Sequence, residues 1–147
     1  MVQDDLNDFT QGDFERSFES SIVAGRVIIQ SNALLEVANE FSDLPPAASI
    51  EIKMYPDKAF QLRAETDGSS CEIDVDKSSP ALIEYEASTE IASTFQWSLL
   101  QHSFQGLHFA SESFVRLNAE GYCSIQHMAL LGSKRAFIDA LLCPDAT

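Results

Sequence analysis

The most constraining feature of this sequence is a series of short segments of alternating polarity, separated by turn-forming residues. The segments comprise residues 49–55, 60–65 and 71–76. Successive side chains of a β-strand point to opposite faces, so a two-residue period indicates strands with one buried and one solvated face. We therefore predict a mostly antiparallel sheet. In the third strand, the residues expected to point inward are Cys71, Ile73 and Val75.

Two other segments carry apolar residues at helical spacing. The first, residues 32–41, follows Ser31, a residue type that often caps helix N-termini. This helix must end before the Pro45–Pro46 pair, since proline cannot continue it. The second, residues 101–111, is shorter, and Gly106 weakens it because glycine is a poor helix former. Both segments are predicted to be helices that pack on one face of the sheet.

Further segments rich in β-branched, aromatic or alternating residues predict the remaining strands. They comprise residues 21–30, 81–87, 94–100, 113–117, 122–131 and 135–142. Between the strands at 113–117 and 122–131, Gly121 can take the positive φ that a hairpin turn requires. The order is strand, helix, about five strands, helix and three strands. Such an order is typical of an α+β domain with a large, mostly antiparallel sheet and two helices on one face.

The first 20 residues differ in composition from the rest of the chain. Acids dominate them, with three phenylalanines spaced among the acids. We predict an acidic connecting arm over residues 1–20 and a single folded domain over residues 21–145. A chain of 147 residues is long enough for one domain with its own core. No apolar run approaches the roughly 20 residues of a membrane helix, so no membrane partner is predicted.

The charge of the chain argues against strong nucleic-acid binding by this chain alone. The formal net charge is −14, from 23 acidic and 9 basic residues. Neutralising phosphates requires clustered lysine and arginine, and the basic residues here are scattered. The three cysteines, Cys71, Cys123 and Cys143, are odd in number and widely spaced. We therefore expect reduced thiols in an intracellular protein and no disulfide framework.

Cys123, His127 and Met128 lie within six residues of one another and could all bind a soft metal. On a strand, however, Cys123 and His127 are about 13 Å apart along one face, at about 3.3 Å per residue. Zinc ligands lie about 2 Å from the ion, so a single ion cannot reach both side chains. Met128 points to the opposite face. The sequence therefore predicts a strand at this position and no metal site.

Two other patterns bear on catalysis. The acids near the N-terminus, among them Asp4, Asp5 and Asp8, could suit a two-metal nuclease only if rigid elements brought them together. The run from Gly132 to Lys134 lacks the upstream glycine and the residue order of a phosphate-binding loop, so it is interpreted as a hairpin turn. No nucleophile elbow is present. The prediction is therefore no catalytic residue and no cofactor.

Four segments together resemble one domain of a sliding clamp of the PCNA type. They are GRVIIQSNALLEVANEF, MYPDKAFQLRAETDGSS, GYCSIQHMALL and the ending LLCPD. Within that superfamily the chain is most similar to the C-terminal domain of the Rad-one/Rec-one family, a subunit of the heterotrimeric nine-one-one checkpoint clamp. The resemblance covers residues 22–145 and consists of strand patterns, not of a catalytic signature.

The resemblance implies a role in assembly. Clamp subunits of this kind have two such domains each, and three subunits close a ring around double-stranded DNA. The ring is placed by a clamp loader and recruits checkpoint and repair factors in the nucleus. Residues 69–76 correspond to the edge strand that pairs with the neighbouring subunit. The interface residues that follow from this are Ser70, Cys71, Glu72, Ile73, Asp74 and Val75.

This chain departs from the clamp pattern in two ways. A ring of the usual kind needs a second domain, so we expect the chain to be part of a longer subunit or half of a split one. The predicted helices carry Glu36, Glu40, His102 and His108 but no lysine or arginine, so no DNA-contacting residue is predicted. A non-enzymatic clamp subunit is the leading hypothesis. The alternatives are a stand-alone acidic interaction module and a metal-dependent exonuclease.

Overall fold

The computed structural model describes residues 22–57 and 59–145. The predicted acidic arm, residues 1–20, lies outside the described residues. The elements in chain order are β1 (Val23–Gln30), α1 (Ser31–Glu40), β2 (Ser49–Met54), β3 (Ala59–Thr66), β4 (Ser69–Asp76), β5 (Leu82–Ala87), β6 (Ile91–Gln96), α2 (Trp97–Ser103), a 3-10 helix (Phe104–His108), β7 (Glu112–Asn118), β8 (Cys123–Leu131) and β9 (Lys134–Leu142).

The strands form two sheets where the sequence predicted one large sheet. The five-stranded sheet has the order β5-β1-β7-β8-β9, and the four-stranded sheet has the order β4-β3-β2-β6. Every strand pairing in these sheets is antiparallel, as predicted. The sheets approach closely at Gly25 of β1, where an added Cβ would lie 2.6 Å from Sδ of Met54 in β2. A side chain at this position would therefore collide with the neighbouring sheet.

An aromatic cluster joins the helices into one layer. The Trp97 ring meets the Phe41 ring edge-to-face at 5.8 Å and 88°, and the Phe104 ring at 6.2 Å and 73°. Such arrangements stabilise aromatic pairs beyond the area they bury. The two predicted helices are thus present and in contact. None of the helices in the described ranges is long and apolar enough to cross a membrane.

The second helix begins at Trp97, four residues earlier than predicted. Residues 94–100 had been predicted as a strand because of their aromatic and β-branched residues, but the strand ends at Gln96. The buried residues of α2 are Trp97, Leu100 and Ser103, a helical spacing that the β-like composition obscured. After Ser103 the chain tightens into the 3-10 helix.

Gly106 has a packing role where the sequence indicated only a weakness. A Cβ added to it would lie 3.0 Å from Cδ2 of His127 and 3.2 Å from Cδ1 of Ile138. Glycine therefore allows the 3-10 helix to approach the five-stranded sheet closely. Ser31, predicted to cap α1, is instead its first residue, and the cap position belongs to Gln30. The Ser31 side chain is fully buried and bonds to the sheet.

Candidate subunit interface

β4 lies at the edge of the four-stranded sheet. It pairs with β3 along its whole length, from Thr66↔Ser69 to Ala59↔Asp76. Within the described part of the chain, no strand pairs with its other side. An edge strand of this kind presents a row of unpaired backbone N–H and C=O groups, to which another strand can add.

A tight turn fixes the register of β4. Gly68 has a φ of 89°, a conformation that glycine adopts without the steric cost other residues incur. The hydroxyls of Thr66 and Ser69 are 2.7 Å apart and hydrogen-bonded across the base of the turn. Because a slip of one residue would exchange the two faces of the strand, this turn determines which side chains of β4 point outward.

The side chains of β4 alternate largely as predicted. Ile73 and Val75 are half-buried and pack against the core, whereas Glu72, Asp74 and Asp76 are exposed. Cys71 lies on the same face as Ile73 and Val75, as predicted, but its side chain is exposed and is not part of the core. It lies opposite the small Ala64, and no strand of the described residues pairs with the outer side of β4. Ser70 is likewise exposed.

The acids of β4 interact with neutral groups. Nε2 of Gln61 donates to Oδ1 of Asp74 at 2.8 Å. The backbone N–H and the hydroxyl of Ser78 both donate to Oδ1 of Asp76 at 2.9 Å, and these bonds lower the pKa of Asp76. Such bonds stabilise the charged form of a carboxylate without neutralising it.

The cation nearest in register to these acids is already engaged. Arg63 lies opposite Glu72 on β3, but its guanidinium is 3.0 Å from the carboxylate of Glu65. Among residues 22–57 and 59–145, the ion pairs do not include Glu72, Asp74 or Asp76. The outward face of the β4 edge is therefore negatively charged, and a partner strand with outward lysine or arginine would complement it.

The residues weighed as metal ligands lie on β8. Cys123 and His127 are both buried on its core face, and Met128 is on the opposite face, as the strand interpretation predicted. Burial raises the pKa of the Cys123 thiol to about 12, so the thiol is protonated at neutral pH. Both ring nitrogens of His127 are hydrogen-bonded, to the Ser113 hydroxyl and to the Ser103 carbonyl. Among the residues that the structure covers, no three His, Cys, Asp or Glu side chains converge as a metal would require.

The surface of the helical layer carries no lysine or arginine. Glu36 and Glu40 belong to α1, and His102 and His108 are exposed on α2 and the 3-10 helix. Residues 31–40 and 97–108 thus offer no positive side chain for a phosphate, and the residues that contact DNA stay unassigned.

A second edge, β9, was not singled out from the sequence. It closes the five-stranded sheet on the side opposite β5. Large apolar side chains are exposed on it and at the end of β8, namely Leu130, Leu131, Phe137 and Ile138. The available signal was the segment at 135–142, which carries apolar residues on both of its faces and therefore cannot bury them all against one core.

Comparisons with known proteins identify the family and the fold of this chain. The family model described as "Repair protein Rad1/Rec1/Rad17" matches residues 6–129. A search of curated protein sequences finds no match. Among solved structures, the PCNA2–PCNA3 complex from Sulfolobus tokodaii superposes with a TM-score of 0.70 at 14% identity, over 83% of this chain and 47% of that chain. PCNA from Thermococcus kodakaraensis gives a TM-score of 0.68 at 17% identity, over 84% of this chain and 48% of that chain.

The structural similarities establish the fold, that of a PCNA-like clamp domain, as the sequence resemblance predicted. The chain spans about half the length of each of these solved clamp chains. The family model covers most of the chain, from within the N-terminal segment to Ala129 in β8. On this evidence the chain belongs to the Rad1/Rec1/Rad17 family of repair proteins.

Proposed function

We propose that this chain is a non-enzymatic subunit, or half-subunit, of a heterotrimeric checkpoint sliding clamp. It acts in DNA damage checkpoint signalling and DNA repair in the nucleus. The observation that carries the proposal is the edge strand β4, whose outer side pairs with no strand of the described residues, on a domain with the clamp fold. The proposed partners are other checkpoint-clamp subunits, a clamp loader, and double-stranded DNA enclosed by the assembled ring.

The physical case for β4 as the subunit interface rests on two properties of its side chains. Ile73 and Val75 are only half-buried, so a partner strand would remove further apolar surface from water. Glu72 and Asp74 disfavour a second copy of the same strand, since like charges directly opposite each other are destabilising. The proposed interface therefore consists of Ser70, Cys71, Glu72, Ile73, Asp74 and Val75, and it selects a different strand as partner.

The domain over residues 21–145 is proposed to serve as the C-terminal half of a clamp subunit, with residues 1–20 as its connecting arm. The solved clamp chains are about twice as long as the part that this chain matches. A ring would therefore include a second clamp domain for each such subunit, in the same chain or in a separate one.

A second candidate is a stand-alone acidic interaction module that does not join a ring. The absence of lysine and arginine from residues 31–40 and 97–108 favours it, because nothing on these helices would attract DNA. This candidate predicts a monomer that binds neither clamp subunits nor DNA. The exonuclease alternative has no observation in its favour, since Asp4, Asp5 and Asp8 lie outside the described residues.

Co-expression with candidate clamp subunits tests the proposal, with the mass of the complex measured by size-exclusion chromatography and light scattering. Ile73→Asp should abolish the complex, because it places a carboxylate where the partner strand would pack. Ile83→Asp is the matched control, since Ile83 is a partly exposed isoleucine on β5, an edge strand of the other sheet. A complex that survives Ile73→Asp would show that the interface lies elsewhere, and a monomer with every candidate subunit would favour the acidic module.

A further inference from the structure

A chain of buried hydrogen bonds crosses the contact between the helices and the five-stranded sheet. Ser31, Ser113 and His127 are at most 1% exposed. The hydroxyls of Ser31 and Ser113 are 2.8 Å apart, and the Ser113 hydroxyl is 2.8 Å from Nδ1 of His127. Nε2 of His127 is 2.8 Å from the carbonyl oxygen of Ser103. None of these residues belongs to the proposed interface on β4.

The partners determine where each proton lies. A carbonyl oxygen can only accept, so Nε2 of His127 must carry a proton and donate it to Ser103. In a neutral imidazole the other nitrogen is then an acceptor, so the Ser113 hydroxyl donates to Nδ1. The Ser113 oxygen in turn accepts the proton of Ser31. As long as the imidazole is neutral, the hydrogen bonds therefore run in one direction, from Ser31 through Ser113 and His127 to Ser103.

This arrangement joins four elements through a single side chain. His127 lies on β8 and Ser113 on β7, so the imidazole and its first partner belong to the sheet. Ser31 is the first residue of α1, and Ser103 is the last residue of α2. The 3-10 helix closes over the ring at Gly106. The last residue of α2 is thus bonded to the imidazole directly, and the first residue of α1 is bonded to it through the Ser113 hydroxyl.

We propose that His127 is a proton-sensitive latch, which holds the helical layer on the five-stranded sheet when neutral and weakens that attachment when protonated. A protonated imidazole donates from both nitrogens, so the Ser113 oxygen would have to accept from Nδ1. The Ser113 hydroxyl would then donate to Ser31, and the Ser31 hydroxyl would lose its acceptor in a fully buried position. An unsatisfied buried hydroxyl and a buried charge both favour separation of the layers.

The surroundings of the His127 imidazole determine whether the contact between the helices and the sheet weakens at low or at high pH. The groups that contact the imidazole from the neighbouring elements are uncharged: the Ser113 hydroxyl of β7, the Ser103 carbonyl of α2, Ile138 of β9 and the Gly106 backbone of the 3-10 helix. Asp139 on β9 is the charged group whose field reaches the imidazole, and it favours protonation. Desolvation outweighs Asp139 and the Ser103 carbonyl, so the pKa of His127 is lowered from its usual 6.5.

The latched state therefore loses stability as the pH falls below 6.5, the pKa that the released imidazole would have. One proton taken up on opening raises the opening equilibrium constant by up to about tenfold per pH unit in this range. Lowering the pH from 7.5 to 5.5 should thus decrease the amide-exchange protection factors of α1 and α2, by up to about tenfold. The central strands β1 and β7 should retain more of their protection, since their pairing does not involve the imidazole.

The test uses the full chain, with protection factors corrected for the intrinsic pH dependence of exchange. His127→Gln removes the titrating group, and its helical protection should change with pH less than that of the wild type. His102→Gln is the matched control, because His102 is exposed on α2 and should leave the wild-type pH response intact. Nitrogen-15 NMR of the imidazoles in the wild-type protein supplies a readout that needs no variant.

The NMR spectrum should show His127 protonated at Nε2 at pH 7.5, with a titration midpoint below 6.5. A neutral imidazole protonated at Nδ1 would overturn the proposal, because it reverses the direction of the hydrogen bonds. A midpoint at or above 6.5 would also overturn it, because protonation would then not weaken the attachment. Equal pH responses in the wild type and in His127→Gln would overturn it as well. If His127→Gln does not fold, the tautomer and the midpoint in the wild-type protein still decide the question.

Discussion

Replacing Gly106 with alanine tests whether the helical layer sits as close to the five-stranded sheet as the structure indicates. The added Cβ would lie 3.0 Å from Cδ2 of His127 and 3.2 Å from Cδ1 of Ile138. Carbon atoms normally approach to about 3.5–4.0 Å, so both neighbours would have to move by several tenths of an ångström. The imidazole cannot move freely, since hydrogen bonds hold both of its nitrogens.

Two effects of this substitution oppose each other. Alanine restricts the unfolded chain more than glycine and would stabilise the fold by about 0.4–1 kcal/mol where the backbone allows it. The backbone does allow it, because Gly106 is not among the glycines with positive φ. Overpacking a close contact costs about 1–3 kcal/mol. Because the imidazole is constrained, overpacking should outweigh the gain from the unfolded chain, and we expect a net destabilisation of about 1 kcal/mol.

Urea denaturation monitored by Trp97 fluorescence would measure this change, with Gln105→Ala as the exposed control next to Gly106. Ile138→Val removes one of the two contacting atoms, and Ile138 is 44% exposed, so this change alone should cost little. In the double variant the two effects should be less than additive, by about 0.5–1 kcal/mol. Stabilisation by Gly106→Ala, or additivity in this cycle, would refute the close approach of the two layers.

Three further outcomes follow from local geometry. With a thiol reagent at neutral pH, Cys71 should react at once, because its side chain is exposed. Cys123 should react only on unfolding, because burial raises the pKa of its thiol to about 12. Rapid modification of both thiols in the folded protein would contradict this. Gly121→Ala should lower the free energy of unfolding by about 1–2 kcal/mol, since Gly121 has a φ of 92° and an added Cβ would lie 3.0 Å from Oγ of Ser93. An unchanged midpoint in chemical denaturation would exclude that strain. Phe104→Ala should cost about 3–5 kcal/mol, because the ring is buried against Trp97, and a loss below 1 kcal/mol would mean that the cluster repacks without it.

The sequence predicted those elements whose side-chain period is unambiguous. The strand at 71–76 has strict alternation, and the structure places β4 at Ser69–Asp76. The hairpin around Gly121 was marked by its glycine and was found. The strand predicted at 94–100 failed at Trp97, because burial of that ring against Phe41 and Phe104 rewards a helix over a local preference for strand.

Properties that depend on contacts distant in sequence could not be predicted. Nothing near Gly25 indicates that Met54 lies against it, so the division into two sheets is not visible locally. Ser31 looked like a helix cap, and its actual partner, Ser113, is 82 residues away. The burial of His127 follows from strand alternation, but the order of its hydrogen bonds does not. The exposure of Cys71 could not be predicted either, because an alternating pattern gives the face of a residue but not how far the core extends along that face.

The distribution of charge affects two contacts of the proposed clamp subunit differently: the contact of β4 with a partner strand and the contact of the helices with DNA. The edge of β4 carries acids without ion pairs in the described ranges, so association with a basic strand brings opposite charges together. The same excess of acids extends to Glu36 and Glu40 of α1, where no cation is present to meet a phosphate. Retention of DNA falls with salt in proportion to the phosphates that cations neutralise. In a ring containing this domain, the salt dependence of DNA retention should therefore come from the other domains of the ring, whereas high salt should weaken the contact that β4 makes with its partner.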